Sequence, residues 1–162
     1  MTANQDNPNQ VPPRSVSGTF VLSALTTSGI EWEPGAMHPY LPFRRVAPDE
    51  VIGGAMLVYH GTFDLSGVAA VTHIARSNSV RDSSASQALA EAEAAIALTP
   101  HSVRAHLALG RSLAALERKA EAREEFEKAL ALAHETGDEW YPIQIADARR
   151  ELRRLLSLAA RQ

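Results

Sequence analysis

The 162-residue sequence contains no cysteine. That excludes disulfides, thiolate metal sites and cysteine nucleophiles, and it leaves the redox compartment open. Long apolar runs are missing as well: the longest span about five residues, as at 55–59, against the ~20 needed to cross a bilayer. The first ten residues are polar, with neither a basic start nor an apolar stretch, so no secretory signal is expected. Neither charge sign is in large excess. Sixteen Lys plus Arg stand against nineteen Asp plus Glu, a formal net charge of −3, which removes the broad basic footprint of a general nucleic-acid binder. No phosphate-loop, dinucleotide-fold, serine-elbow or His-Glu-x-x-His motif occurs. No catalytic residue, cofactor or metal is therefore expected, and the chain reads as a non-enzyme.

What is present divides sharply along the chain. Residues 1–82 hold seven of the nine glycines and seven of the nine prolines, whereas 83–162 are rich in Ala, Leu, Glu and Arg. Glycine and proline punctuate turns, and the second set are strong helix formers. Residues 1–17 offer almost nothing to bury and read as a disordered tail. A strand is predicted over 19–24, a turn over 26–29, a proline-broken loop over 32–42 and one helical turn near 40–45. The near-continuous apolar run 51–59 predicts a second strand buried on both faces, with Gly53-Gly54 as a bulge. From Asp64 the period becomes helical, and helices are predicted over 64–79, 85–98, 103–116, 120–133 and 143–160. Ser84 and Gln87 have the spacing of a capping box.

Helix pairs of about this length prompt a search for a repeat. Leu109-Gly110, Leu113, Ala122-x-x-x-Phe126 and Ala129-Leu130 resemble the tetratricopeptide pattern position by position, with His106 where that family prefers Trp. Small Gly110 and Ala122 suit a helix crossing, large Leu113 and Phe126 fill the space beside it, and Ala129 lets the next helix approach. The clearest repeat is 103–134. Stepping back 34 residues places Ala88 under Ala122, Ile96 under Leu130 and Pro100 at the terminal proline position, while Arg76 falls on a small-residue position. Stepping forward from His106 reaches Trp140, after which the pattern stops.

A second resemblance covers the first half. Residues 18–24, Pro39-Tyr40-x-x-Phe43-Arg44 and the run from Val51 through Phe63 are similar to the soluble C-terminal region of bacterial membrane glycosyltransferases of the protein-mannosyltransferase class. Catalytic acids of that family lie in a membrane-embedded half with no counterpart here, so the resemblance carries over no catalytic residue.

Six histidines, at 38, 60, 73, 101, 106 and 134, show no metal-ligand spacing and read as ordinary polar positions. Arg149, Arg150, Arg153 and Arg154 form the one dense basic cluster and read as a solvated face, with Asp147 and Glu151 as local partners of Arg150 and Arg154. The tetratricopeptide resemblance implies an inner groove lined by Arg104, Leu107, Arg111, Ala114 and Ala115. The Lys and Asn of the family's carboxylate-clamp version are absent, since Leu107 and Arg111 hold those positions.

The expected architecture is α+β. A small α/β unit with two main strands (18–63) precedes a short tetratricopeptide-like helical solenoid (64–162). The expected function is a non-catalytic protein-interaction module with a protein partner and no nucleic acid. The alternative is an accessory, periplasm-facing domain of a membrane glycosyltransferase system, whose partner would be a membrane protein. Cytoplasmic placement is the default for want of a signal peptide.

Overall fold

The computed structural model describes residues 10–28, 38–137 and 141–159. Among these residues three strands form the sheet rather than two. Strand β1 (Ser15–Ser23) and strand β2 (Glu50–Ile52) flank a central β3 (Met56–Asp64), both antiparallel to it. The apolar run 51–59 is thus a hairpin, not one strand. Gly53 and Gly54 take left-handed φ of +59° and +72°, and the Ala55 N–H reaches back to the Ile52 carbonyl at 3.3 Å. Two consecutive positive φ values turn the chain where a bulge would only bend it. Burial on both faces holds only on the central strand, where the successive residues Val58 and Tyr59 are both buried, and fails on the short outer strand, where Val51 and Ile52 are 56% and 55% exposed.

β1 begins at Ser15, inside the stretch read as a tail. Its ladder to β3 supplies backbone hydrogen bonds that do not depend on side-chain hydrophobicity, and the Ser17 and Thr62 hydroxyls meet at 2.6 Å across it. Residues 1–9 of that tail, the end of the predicted turn at 29, and 32–37 of the proline-broken loop lie outside the described residues. The predicted turn after β1 is instead a short helix, α1 (Ala24–Ser28), whose Thr26 N–H is held by the Ser23 hydroxyl at 3.0 Å.

One face of the sheet carries Phe20, Leu22, Leu57, Tyr59 and Phe63. Helix α2 (Leu41–Arg44) lays Phe43 against it. The Phe43 ring stacks on Phe63 at 4.2 Å and meets Phe20 and Tyr59 edge-on, each at 5.2 Å. Such aromatic contacts give a small sheet the buried face that three strands need for stability.

Five helices follow: α3 (Ser66–Val80), α4 (Ala85–Leu98), α5 (Val103–Ala115), α6 (Lys119–Thr136) and α7 (Pro142–Ala159). Helix α3 starts two residues after the sequence prediction, following a turn in which Asp64 accepts from the Ser66 N–H at 2.8 Å and the Ser66 hydroxyl at 2.5 Å; its N-cap, Leu65, makes no side-chain cap. Ser84 makes no side-chain cap on α4, so the capping box does not form. Ser102 does cap α5, accepting from the Ala105 N–H at 3.3 Å. α3 packs on α4 and α5 on α6, with α5 also touching α4 and α7 lying against α5 and α6. Short connections of this kind put successive helices side by side. α3 meets the segment before α2 at Gly67, where a Cβ would stand 2.7 Å from the Pro39 Cα.

Candidate partner groove

The second helix pair is built around one crossing. Gly110 on α5 faces the Phe126 ring on α6 so closely that a Cβ there would lie 2.6 Å from Cε1. Phe126 and Ala122 are fully buried, Ala129 and Leu113 nearly so, and Leu109 is half-buried against the same cluster. Just beyond α5 and its C-cap Leu116, Glu117 takes a left-handed φ of 58° so that the Arg118 N–H can reach the Leu113 carbonyl at 3.0 Å.

A carboxylate–imidazole pair ties each first helix to its second. His106 Nδ1 lies 2.6 Å from Glu125 of α6, and His106 Nε2 lies 3.0 Å from the Pro100 carbonyl. His73 Nδ1 lies 2.6 Å from Glu91 of α4. The second-helix partners Glu91 and Glu125 are 34 residues apart, but the first-helix partners His73 and His106 are 33 apart. That single-residue difference corrects the register of the first pair. Ser77, not Arg76, takes the place of Gly110: it is 1% exposed, and its hydroxyl donates to the Ala88 carbonyl at 2.9 Å. Arg76 instead approaches Glu91 at 3.6 Å. Burial pushes the Glu125 carboxyl up, yet hydrogen bonds from Lys128 and His106 outweigh it and hold the group below its ordinary value.

α3, α5 and α7 line one side of the stack and enclose a cleft in two parts. One part, about 340 Å³, lies between Val71, Ile74 and Asn78 of α3, Arg104 and Arg111 of α5, and Ile143 and Asp147 of α7. The other, about 520 Å³, continues from Arg111 past Ala114 and Ala115 to Lys119, Arg150 and Arg154. Arg111 is common to both. Five basic side chains (Arg81, Arg111, Lys119, Arg150 and Arg154) face three acidic ones (Asp82, Glu117 and Glu151) in the larger part, an excess of two positive charges on a chain whose net charge is −3.

The expected groove residues separate here. Arg104, Arg111, Ala114 and Ala115 line the cleft. Leu107 does not: it is 4% exposed and belongs to the core cluster with Tyr141 and Ile145, because α7 covers that side of α5. Nor is Arg111 unoccupied. Its guanidinium donates to Asp147 Oδ2 at 2.6 Å, and Arg150 takes the other carboxylate oxygen at 2.7 Å. Asp147 was legible only as a local partner of Arg150. Its link to Arg111 spans 36 residues, close to one repeat period, so opposite charges one period apart were the available signal. His60 binds Asp49 at 3.1 Å. Among the described residues no cluster of three or more histidines and carboxylates is placed to hold a metal. Trp140 lies outside them.

No family model matches the chain, and no curated protein matches it. Among solved structures it is similar to the first tetratricopeptide-repeat domain of Spaghetti (RPAP3) bound to an HSP90 peptide, at 24% identity and a TM-score of 0.46. The likeness covers 56% of this chain and 66% of that one. The similarity of the first half to membrane glycosyltransferases has no counterpart in these comparisons. No helix among the described residues is long and apolar enough to cross a membrane.

Proposed function

We propose that the chain is a non-catalytic protein-interaction module, and that the cleft along α3, α5 and α7 holds a partner segment of acidic and apolar character. One observation carries the reading: the cleft concentrates arginines on a chain that is acidic overall, and it does so beside small and apolar walls. Arg150 and Arg154, 62% and 75% exposed, keep most of their guanidinium surface open to solvent while Asp147 and Glu151 orient them. Carboxylates of an incoming segment meet donors already aimed, and arginine can bind them through two parallel N–H bonds. Ala114 and Ala115 leave room for its backbone, and Val71, Ile74 and Ile143 offer apolar contact.

The test is capture from cell extract with the full chain, followed by mass spectrometry. Arg104→Glu with Arg111→Glu reverses the charge of the inner wall. Because Arg111 and Arg150 both bind Asp147 of α7, a second variant, Arg154→Glu alone, reverses an exposed group outside that bridge. A partner with an acidic segment, retained by wild type and lost by the second variant with an unchanged circular dichroism spectrum, is the expected result. Retention of every partner by both variants would overturn the reading.

A further inference from the structure

Among the described residues β1 is an edge strand of unusual openness. Its nine residues, Ser15–Ser23, carry no charge and no proline, and they pair with β3 without a break in register. Natural edge strands are kept from pairing with other chains by charges, prolines, bulges or very short length, and β1 has none of these.

The hydrogen bonds at its two ends fix which backbone groups face outward. The Arg14 carbonyl accepts from the Leu65 N–H, and the Ala24 N–H donates to the Ala55 carbonyl, both at 2.7 Å and both in line with the ladder. Even-numbered residues therefore turn their N–H and C=O groups to β3, and alternation sends those of Ser15, Ser17, Thr19 and Val21 away from the sheet. All four residues are exposed, Val21 by 51%. The Ser23 carbonyl is already taken by the Thr27 hydroxyl at 3.4 Å.

We infer that this edge pairs with β1 of a second copy of the chain, antiparallel about a two-fold axis at Thr19, to give one continuous six-stranded sheet. Thr19 is the middle residue of the nine, so that axis overlaps the two strands in full. It also places outward-facing groups opposite one another, as antiparallel hydrogen bonding requires: Ser17 opposite the partner's Val21, and Thr19 opposite the partner's Thr19. On the other face Leu22 meets the partner's Val16, and Phe20 lies over the partner's Gly18, where nothing within 4 Å occupies the space a side chain would take. Hydroxyl and apolar pairs of these kinds favour strand pairing. The absence of charge means that two copies, each of net charge −3, meet where no like charges oppose. Ser17, Thr19 and Val21 of both copies supply about six backbone hydrogen bonds, at the low end for a specific interface, so the dimer is concentration-dependent.

The experiment is sedimentation equilibrium of the full chain over a wide concentration range, with hydrogen exchange of the β1 amides followed over the same range. The wild-type mass is expected to rise from 17.5 kDa towards twice that value, with protection gained at Ser17, Thr19 and Val21. Thr19→Pro removes an outward N–H while leaving the β3 ladder intact, and Thr19→Lys sets two ammonium groups together at the axis. Each is expected to weaken association by about tenfold or more without changing the melting temperature of the monomer. A wild type that stays monomeric at every concentration, with β1 amides exchanging freely, would leave the edge to a foreign strand and overturn the inference. So would a dimer that both variants leave unchanged.

Discussion

Gly110 shows how one hydrogen in place of a methyl sets the geometry of the helix stack. Adding a Cβ at Gly110 brings it within 2.6 Å of a phenyl ring that is itself fully buried. Helix propensity favours alanine over glycine by about 1 kcal/mol, but the clash opposes it, and overpacking of this kind costs typically 1–3 kcal/mol. Gly110→Ala is therefore expected to lower the melting temperature, although an exposed Gly→Ala change in a helix would raise it. Phe126→Ala should cost about 3–5 kcal/mol, and in that background Gly110→Ala should become neutral or stabilising. A double-mutant cycle by chemical denaturation measures this coupling, and strict additivity would mean that the two groups do not meet. Glu117 supplies the opposite sign. It holds a left-handed φ of 58° in an exposed turn, which costs a non-glycine residue roughly 1 kcal/mol. Glu117→Gly is expected to gain stability of that order, less whatever the surface pair with Lys119 contributes.

At the level of elements, the helices were the legible part, because a 3.6-residue apolar period continues for the whole of each one. The predicted 85–98 coincides with α4, the predicted start at 103 coincides with that of α5, and the other ends of the five long helices moved by one to three residues. The sheet was less legible. An unbroken apolar run does not distinguish one strand from two, and the evidence for a hairpin lay only in Gly53-Gly54, which also suits a bulge. That Arg104 and Arg111 share one side of α5 was legible from their spacing. The groove was not legible where α7 decides the outcome, since nothing within α5 reveals that Leu107 is covered or that Arg111 is held by Asp147. The His–Glu pairs were invisible for the same reason: each joins two helices through contacts 18 or 19 residues apart. Glu125 has a pH signature. The Glu125 carboxyl is held below its ordinary value of 4.5, so its stabilising effect is full above that value and disappears as pH falls through the lower folded value. Urea midpoints of wild type and Glu125→Gln should differ most near neutral pH and converge in acid. A constant difference across that range would contradict the assignment.

At the scale of the whole molecule, two separate cores are joined at a narrow seam. An aromatic cluster stabilises the sheet and α2, while Phe126, Tyr141, Ile145 and their neighbours hold α5, α6 and α7 together. The cleft lies between α5 and α7, which the Arg111–Asp147–Arg150 bridge joins beside the apolar contacts of Tyr141, Ile145 and Ala148. Asp147→Ala leaves both arginines without that carboxylate, and protease cleavage within α7 should become faster than in the wild type. Unchanged cleavage would show that the apolar contacts of Ile145 and Ala148 are sufficient to hold the helix. The central claim is that partners enter the cleft rather than dock elsewhere. Site-specific photo-crosslinking tests it most directly, with the crosslinker placed either at Ala115, exposed on the cleft wall, or at Glu124, exposed on α6 and not among the cleft residues. A specific adduct from Ala115 to an acidic segment of a partner, with none from Glu124, is the predicted result. An adduct from Glu124 with none from Ala115 would contradict it.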